Sequence, residues 1–156
     1  MTDHEKYMKV AIDLSIESVK NGGGPFGAVI VKNGEIIAST SNSVTKDNDP
    51  TAHAEVNAIR QATKKLGTFD LSDCVIYSSC EPCPMCLGAI YWARLNTLFF
   101  ANNKTDAKNI GFDDSFIYDE IATPYEKRKI KTIQISRNEA LIAFNAWQTK
   151  SDKIEY

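Results

Sequence analysis

The sequence predicts an α/β protein: a three-layer α/β/α sandwich around a mixed five-stranded sheet. Short, almost uninterrupted apolar segments such as residues 26–31 are typical of strands that are covered on both faces. Helical patterns alternate with these segments, which favours helices packed on a central sheet. The dipeptide Asn33-Gly34 between two apolar segments indicates a tight antiparallel hairpin. With 156 residues and no linker-like tract, the chain is expected to form a single domain over residues 1–156.

The first third of the chain predicts one helix and one hairpin. Residues 3–20 place apolar side chains at helical spacing, and the run Gly22-Gly23-Gly24-Pro25 ends that helix. Residues 26–31 and 35–40 form the two strands of the hairpin. A loop rich in Asn, Asp and Ser, residues 42–50, follows and leads toward His53.

The remainder of the chain continues the alternation of helix and strand. We expect helices at residues 53–65 and 83–94, a buried strand at residues 74–79 and another strand at residues 97–101. Beyond Gly111 the periodicity is weaker, and it predicts three further elements: a short helix at 115–121, a strand at 132–135 and a helix at 139–148. The strand at 132–135 is the fifth strand of the expected sheet.

Composition favours a folded protein in a reducing compartment. Apolar residues make up 43% and charged residues 24% of the chain, which is typical of globular proteins. The start, MTDHEKYMKV, lacks the apolar run of a signal peptide or membrane span. We therefore expect a cytoplasmic protein that does not associate with a membrane. Its four cysteines are expected to be free thiols or metal ligands and not to form disulfides.

The charge balance argues against nucleic acid as a partner. With 18 basic and 20 acidic residues the net charge is −2, whereas proteins that grip polyanions usually carry a basic excess. One short basic cluster spans residues 126–131, and its simplest interpretation is a solvated surface. A local basic patch inside an acidic average stays open as the alternative.

Two short motifs predict a catalytic metal site. His53 and Glu55 form an H-x-E motif, and Pro82-Cys83-Pro84-Met85-Cys86 follows later in the chain. This order is the signature of zinc-dependent nucleobase deaminases. Three protein ligands leave one tetrahedral position of zinc open for water, unlike a closed structural site. We predict that His53, Cys83 and Cys86 bind zinc.

The predicted ligands stand at the beginnings of two helices. Cys83 and Cys86 are three residues apart, so a helix places both sulfurs on one face. If this helix begins near Cys83, its exposed N–H groups and dipole favour thiolates. Prolines 82 and 84 suit a first helical turn.

Other interpretations of the cysteines remain. A lone C-x-x-C motif also occurs in redox pairs and as half of a structural zinc site. Cys80 would close the cage if it supplied a fourth ligand, and Glu55 would then have no role beside the metal. Otherwise Cys80 and Cys74 are small apolar residues of the core.

Glu55 is the predicted catalytic residue. A carboxylate two residues from a zinc ligand can accept a proton from water and deliver it to a substrate nitrogen. The alternative is an ordinary surface glutamate in the first turn of a helix, where negative charge is favourable.

The segments around these motifs resemble a known family. TAHAEVNAIR and SSCEPCPMCLGAIYWAR resemble the cytidine deaminase-like superfamily and its purine deaminase branch. GGGPFGAVIV, the region of Asn42, NDPTAHAE, GFDDSFIYDEI and the terminal IEY are similar to the bacterial guanine deaminases. The resemblance covers most of the chain, and GFDDSFIYDEI distinguishes guanine deaminases from their relatives.

The resemblance implies roles for individual residues. Glu55 would shuttle protons, and the main chain of Ala54 together with the side chains of Asn42, Phe26, Asp114 and Tyr156 would contact the base. Tyr156 would come from a partner subunit, because the C-terminal segment is exchanged within a homodimer in this family. Trp92 is also expected near the pocket, without an assigned role.

Each implied contact has a plainer alternative. Asn42 could bond its own backbone, Phe26 could belong to the core, and Asp113 or Asp114 could cap a helix. A terminal Tyr156 would ordinarily fray. However, apolar and aromatic side chains in the terminal IEY favour a tail that is covered by something.

Three functions compete at this point. The resemblance implies hydrolysis of a small purine base, guanine, to xanthine and ammonia. A transfer RNA adenosine deaminase shares the HAE and PCxxC blocks, and other aminated purines, triazines or nucleosides are alternative substrates. A zinc-stabilised binding module without catalysis is the third hypothesis, and in that case Glu55 would be dispensable.

Overall fold

A computed structural model describes residues 1–156. The chain divides into two compact units, Met1–Ser115 and Phe116–Tyr156. The expected organisation as a single domain over residues 1–156 stays a prediction.

The N-terminal unit contains five helices and four strands. They are α1 (Asp3–Lys20), β1 (Gly27–Lys32), β2 (Glu35–Ser41), α2 (Val44–Asp47), α3 (Ala54–Leu66), β3 (Cys74–Cys80), α4 (Pro84–Trp92), β4 (Thr97–Asn102) and α5 (Lys104–Asn109). The predicted helices and strands of this region are confirmed to within about two residues at each end, which is the usual ambiguity of element boundaries. Helices α2 and α5 were not predicted because four and six residues are too short to show a helical period.

The central sheet is mixed and has four strands in the order β2-β1-β3-β4. Strand β1 pairs antiparallel with β2 and β3, and β3 runs parallel to β4. The predicted fifth strand at residues 132–135 is wrong, because this segment has no regular structure. Its alternating isoleucines have high strand propensity, but Ile133 and Ile135 are 66% and 79% exposed and pair with no strand of the sheet.

Helices cover both faces of the sheet, as predicted. On one face α1 packs on the sheet through Ala11, against Val29, Val31 and Tyr77. On the other face α3 and α4 join a larger core, whose members include Ala28, Ile30, Ile76, Ala54, Ala58 and Ile90. The sandwich has three layers, and α3 contacts α4 as well as β1 and β2.

The hairpin between β1 and β2 has the predicted turn. Asn33 and Gly34 both adopt left-handed backbone angles, with φ of 51° and 81°. We expect Gly34→Ala to lower the free energy of unfolding by about 1 kcal/mol, because a Cβ disfavours this conformation. Urea unfolding measures the change. Gly88→Ala in α4, where a Cβ meets no atom within 4 Å, should be neutral or stabilising.

The C-terminal unit is mainly helical. It contains most of α6 (Ser115–Ala122), a 3-10 helix (Tyr125–Lys127) and α7 (Arg137–Thr149). The Arg128 guanidinium donates hydrogen bonds to the carbonyl groups of Glu120, Ile121 and Thr123 and so closes the end of α6. Many apolar side chains of this unit are exposed, among them Ile130, Ile133, Ile135, Ile142, Phe144 and Ile154. No helix of the chain has both the length and the apolar character that crossing a bilayer requires.

Candidate active site and metal centre

The predicted metal ligands lie at the N-termini of α3 and α4. His53 is the residue before α3 and Cys83 the residue before α4, each with extended backbone angles. Pro84 occupies the first position of α4, and Cys86 follows in the first turn. The prediction that the second helix begins near Cys83 agrees with this, since Cys83 is the capping residue directly before α4.

The three side chains form one cluster of possible metal ligands. Nδ1 of His53 lies 3.5 Å from Sγ of Cys83 and 3.4 Å from Sγ of Cys86. All three ligand atoms lie within 4.8 Å of one another, and Cys86 is fully buried. A tetrahedral zinc with ordinary Zn–N and Zn–S bonds separates nitrogen from sulfur by about 3.5 Å, so the cluster fits zinc.

Contacts within the cluster set the charge of its members. The pKa of Cys83 falls to about 4, because the Cys86 thiol donates a hydrogen bond to it, and His53 and the Cys86 N–H do the same. The same shared hydrogen bond, together with burial, raises the pKa of Cys86. The pKa of His53 is raised by its hydrogen bond with Cys83. These contacts favour the predicted thiolate at Cys83 and disfavour ionisation of Cys86, which donates the hydrogen bond between the two sulfurs.

The other two cysteines do not belong to this cluster. The thiol of Cys80 faces the carbonyl oxygen of Asn103 at 3.9 Å, and burial raises its pKa to about 11. Cys74 begins β3, and burial raises its pKa to about 11 as well. Both are buried core residues, so the alternative of a four-ligand cage closed by Cys80 is not supported.

Removal of the Cys80 thiol tests this geometry. We expect Cys80→Ala to retain one zinc per chain, because no ligand is lost, while thermal stability falls slightly through the small cavity. Zinc content after dialysis is the measurement. Loss of zinc from this variant would revive the closed cage.

Glu55 lies inside the protein beside the metal ligands. It is 5% exposed and occupies the first turn of α3, where its Oε1 accepts a hydrogen bond of 3.0 Å from Oγ of Ser78. Burial is the main cause that raises its pKa, and a hydrogen bond with Cys86 opposes the rise. The alternative of a surface glutamate is therefore wrong, because the side chain is buried. A buried carboxyl group costs free energy unless it has hydrogen-bonding partners.

Asn42 and Phe26 are held together by the backbone. The N–H of Asn42 donates to the carbonyl of Phe26 at 3.0 Å, and the Asn42 Oδ1 accepts from the N–H of Val44 at 3.2 Å. The Asn42 side chain therefore bonds the local backbone, as the plainer alternative predicted. Its NH₂ group can still donate to another acceptor. Phe26 packs on the edge of the core, so it is partly a core residue.

The two neighbouring aspartates differ in their surroundings. Asp113 accepts hydrogen bonds from the N–H and the hydroxyl of Ser115 and so caps α6. Burial raises the pKa of Asp114, and the negative charges of Cys83 and Glu81 raise it further. The capping alternative therefore applies to Asp113, while Asp114 lies within electrostatic reach of the cluster.

Three other residues were expected to contact the base or to lie near its pocket. Ala54 is the first residue of α3 and fully buried, and its N–H is one of the first-turn donors that a helix leaves unpaired. Trp92 ends α4 with an exposed side chain, and its place near a pocket stays a prediction. Tyr156 belongs to the C-terminal unit and is 72% exposed, so its pocket-closing role stays a prediction too.

Two further residues at the site were not identified from the sequence. Ser78 bonds Glu55, and Phe112 packs edge-on against Phe26 with ring centroids 4.9 Å apart. The two serines of an otherwise apolar strand indicate buried hydroxyl groups with partners, but only the fold identifies the partner of Ser78. No comparable feature of the sequence indicates a contact for Phe112.

Comparison with protein families agrees with this geometry. Residues 1–102 match the family model described as the cytidine and deoxycytidylate deaminase zinc-binding region. The matched residues include His53, Glu55, Cys83 and Cys86. Zinc is thus the cofactor that both the family and the ligand atoms indicate.

Individual relatives extend the match to the full chain. Guanine deaminase of Bacillus subtilis is 57% identical over 155 residues, 99% of each chain, and its X-ray structure superposes with a TM-score of 0.96 over 100% of this chain and 99% of that one. A guanine deaminase structure from Nitrosomonas europaea is 35% identical, with a TM-score of 0.66 over 69% of this chain and 63% of that one. A tRNA-specific adenosine deaminase of Aquifex aeolicus is 42% identical over 62% of this chain and 64% of its own. The chain therefore belongs to the cytidine and deoxycytidylate deaminase zinc-binding family and is a homologue of bacterial guanine deaminase.

Proposed function

We propose that this protein hydrolyses guanine to xanthine and ammonia. The observation that carries the proposal is the buried Glu55 beside a three-ligand cluster, in a chain similar over its whole length to a guanine deaminase. In this reaction a water oxygen bonds to C2 of the base, the bond from C2 to the exocyclic nitrogen breaks, and the amine leaves as ammonia. Two protons must be moved, which requires a group that can both accept and donate them.

Glu55 is the residue placed for this proton transfer. Zinc held by His53, Cys83 and Cys86 would supply the Lewis acid that activates water at neutral pH. The Glu55 carboxyl group would take a proton from the water and pass it first to a ring nitrogen and then to the departing amine. Its burial keeps bulk water from competing for the proton.

Polar groups around the cluster would recognise the base. The side-chain NH₂ of Asn42 would donate to an acceptor on the purine, since its Oδ1 already accepts from Val44. The N–H of Ala54 would donate as well, and the Phe26 ring would pack on the purine face. Asp114 would accept a hydrogen bond from the exocyclic amine, and the contribution of the Cys83 charge to its raised pKa supports a place beside the ligand cluster.

A substrate panel tests the assignment. Zinc-loaded protein should release ammonia from guanine with a kcat/KM about 10⁴-fold above that for adenine or cytidine, because a site built around hydrogen bonds rejects bases that lack them. Guanosine, aminopurines and aminotriazines belong in the same panel. Ammonia from adenine or cytidine with none from guanine would refute the proposal.

Deamination of adenosine in transfer RNA is the second candidate. An enzyme that acts on RNA needs basic side chains that face the phosphates. In the one basic cluster, Arg128 is occupied with the carbonyl groups of α6, and the ammonium group of Lys129 lies over the Phe116 ring, 5.8 Å from its centroid. This use of the basic residues favours a small base over RNA. Salt-sensitive binding of transfer RNA would reverse that preference.

We also propose a homodimer in which the C-terminal unit of one subunit packs on the other. The exposed isoleucines and aromatic residues of residues 116–156 form more apolar surface than a monomer usually leaves in water. A second copy of the chain would cover it, and Tyr156 would then close the partner's pocket. The whole chain would act as one functional domain in this arrangement.

Mixed dimers test the exchange. One chain carries Glu55→Gln with an intact tail, and the other lacks residues 153–156 but keeps Glu55. If the tail serves the opposite subunit, the mixed dimer contains one complete site and should regain about half of the wild-type activity. Activity no greater than that of the two parent dimers would show that the tail serves its own chain.

We place the protein in the cytoplasm. All four cysteines are free thiols, and two of them, Cys83 and Cys86, must stay reduced to bind zinc. Fractionation of cells that express the protein tests this location.

A further inference from the structure

The Glu55 side chain is held by a buried serine of the central sheet. Ser78 in β3 is 2% exposed, and its Oγ lies 3.0 Å from the Oε1 of Glu55. Strand alternation places Ser78 on the same face as Ile76, toward α3 and α4, where an apolar residue would be expected. A buried hydroxyl costs free energy unless it is bonded, so its presence in the core calls for a role.

Ser78 is itself anchored to the main chain. Its Oγ also lies 2.7 Å from the carbonyl oxygen of Cys80. The single hydroxyl hydrogen is therefore shared between two acceptors, the Glu55 carboxyl group and this backbone carbonyl. Strand β3 is paired on both sides, with β1 and with β4. The hydroxyl is therefore a fixed point in a rigid part of the fold.

Glu55 needs such a fixed point for the proposed chemistry. Its side chain has three rotatable bonds, and a carboxyl group that shuttles protons must remain within hydrogen-bond reach of both water and base. We propose that Ser78 is a positioning residue that keeps the Glu55 carboxyl group turned toward the zinc ligands. This inference rests on the proposed function, because it names how the same site is organised.

The chain offers a matched control in the next residue. Ser79 is 3% exposed and accepts a hydrogen bond of 3.0 Å from the N–H of Gly27. By alternation its side chain points to the opposite face of the sheet, the face covered by α1. Ser79→Ala therefore removes a buried hydroxyl from the same strand without touching Glu55.

Steady-state kinetics on guanine provide the first test. We expect Ser78→Ala to lower kcat about 10- to 100-fold with little change in KM and with one zinc still bound per chain. Ser78→Thr, which keeps the hydroxyl, should recover most of kcat, and Ser79→Ala should remain within about twofold of wild type. An equal loss of kcat in the two alanine variants, or no recovery with threonine, would overturn the inference.

The metal-free protein provides a readout independent of activity. If Ser78 and Glu55 are coupled, the fall in melting temperature of the double variant Ser78→Ala, Glu55→Ala should be smaller than the sum of the two single falls. Additive shifts would overturn the inference. If the wild-type protein releases no ammonia from guanine, the proposed function fails, whereas an active wild type with an equally active Ser78→Ala refutes the role of Ser78 alone.

Discussion

Replacement of Glu55 by Gln should lower kcat for guanine by about 10²- to 10⁴-fold, while one zinc per chain remains bound. The amide has nearly the shape of the carboxyl group and can still bond Ser78, but it cannot accept and return a proton. His53, Cys83 and Cys86 are unchanged, so the metal site persists. Ammonia release and zinc content, measured on the same preparation, separate the two effects.

This variant also decides between an enzyme and a binding module. A zinc-stabilised module would keep its function with glutamine at position 55. Gln61→Glu is a suitable control on the same helix. Gln61 lies six residues after Glu55, nearly two turns along α3, and its Oε1 accepts a hydrogen bond of 2.9 Å from the N–H of Ser39. Wild-type ammonia release by Glu55→Gln would remove Glu55 from the mechanism.

Replacement of Cys86 by Ser should abolish zinc binding and turnover together. The Cys86 sulfur is fully buried at the centre of the cluster, and a neutral hydroxyl is a much weaker zinc ligand than a thiolate. Because zinc binds the folded state, the variant should melt close to the temperature of the metal-free wild type, and added zinc should no longer raise it. Calorimetry with and without zinc measures this.

The matched control for this prediction is Cys74→Ser. Cys74 is also buried, but it begins β3 and is no member of the ligand cluster. This variant should keep one zinc and respond to zinc in the melting experiment as the wild type does. If both serine variants retained zinc, Cys86 would not be a ligand.

The elements that could be predicted are those with a strong local pattern. Helix α1, the hairpin around Asn33-Gly34 and strand β3 each carry a period or a turn dipeptide that has one favourable local structure. The prediction of a strand at residues 132–135 was wrong, because strand propensity does not show whether a neighbouring strand is available for pairing. Its isoleucines would fit a strand, yet they pair with none of the four strands in the sheet.

The sequence by itself determined the metal chemistry: an imidazole, two thiols and one carboxylate in a spacing that suits zinc and proton transfer. This was possible because the side-chain types and helix starts that make such a site are local features. Tertiary structure alone decided that Cys80 stays outside the cluster, that Glu55 is buried, and that Ser78 is its partner. Residues 55 and 78 are brought together by the packing of α3 on the sheet, and no local pattern encodes a contact between residues 23 positions apart.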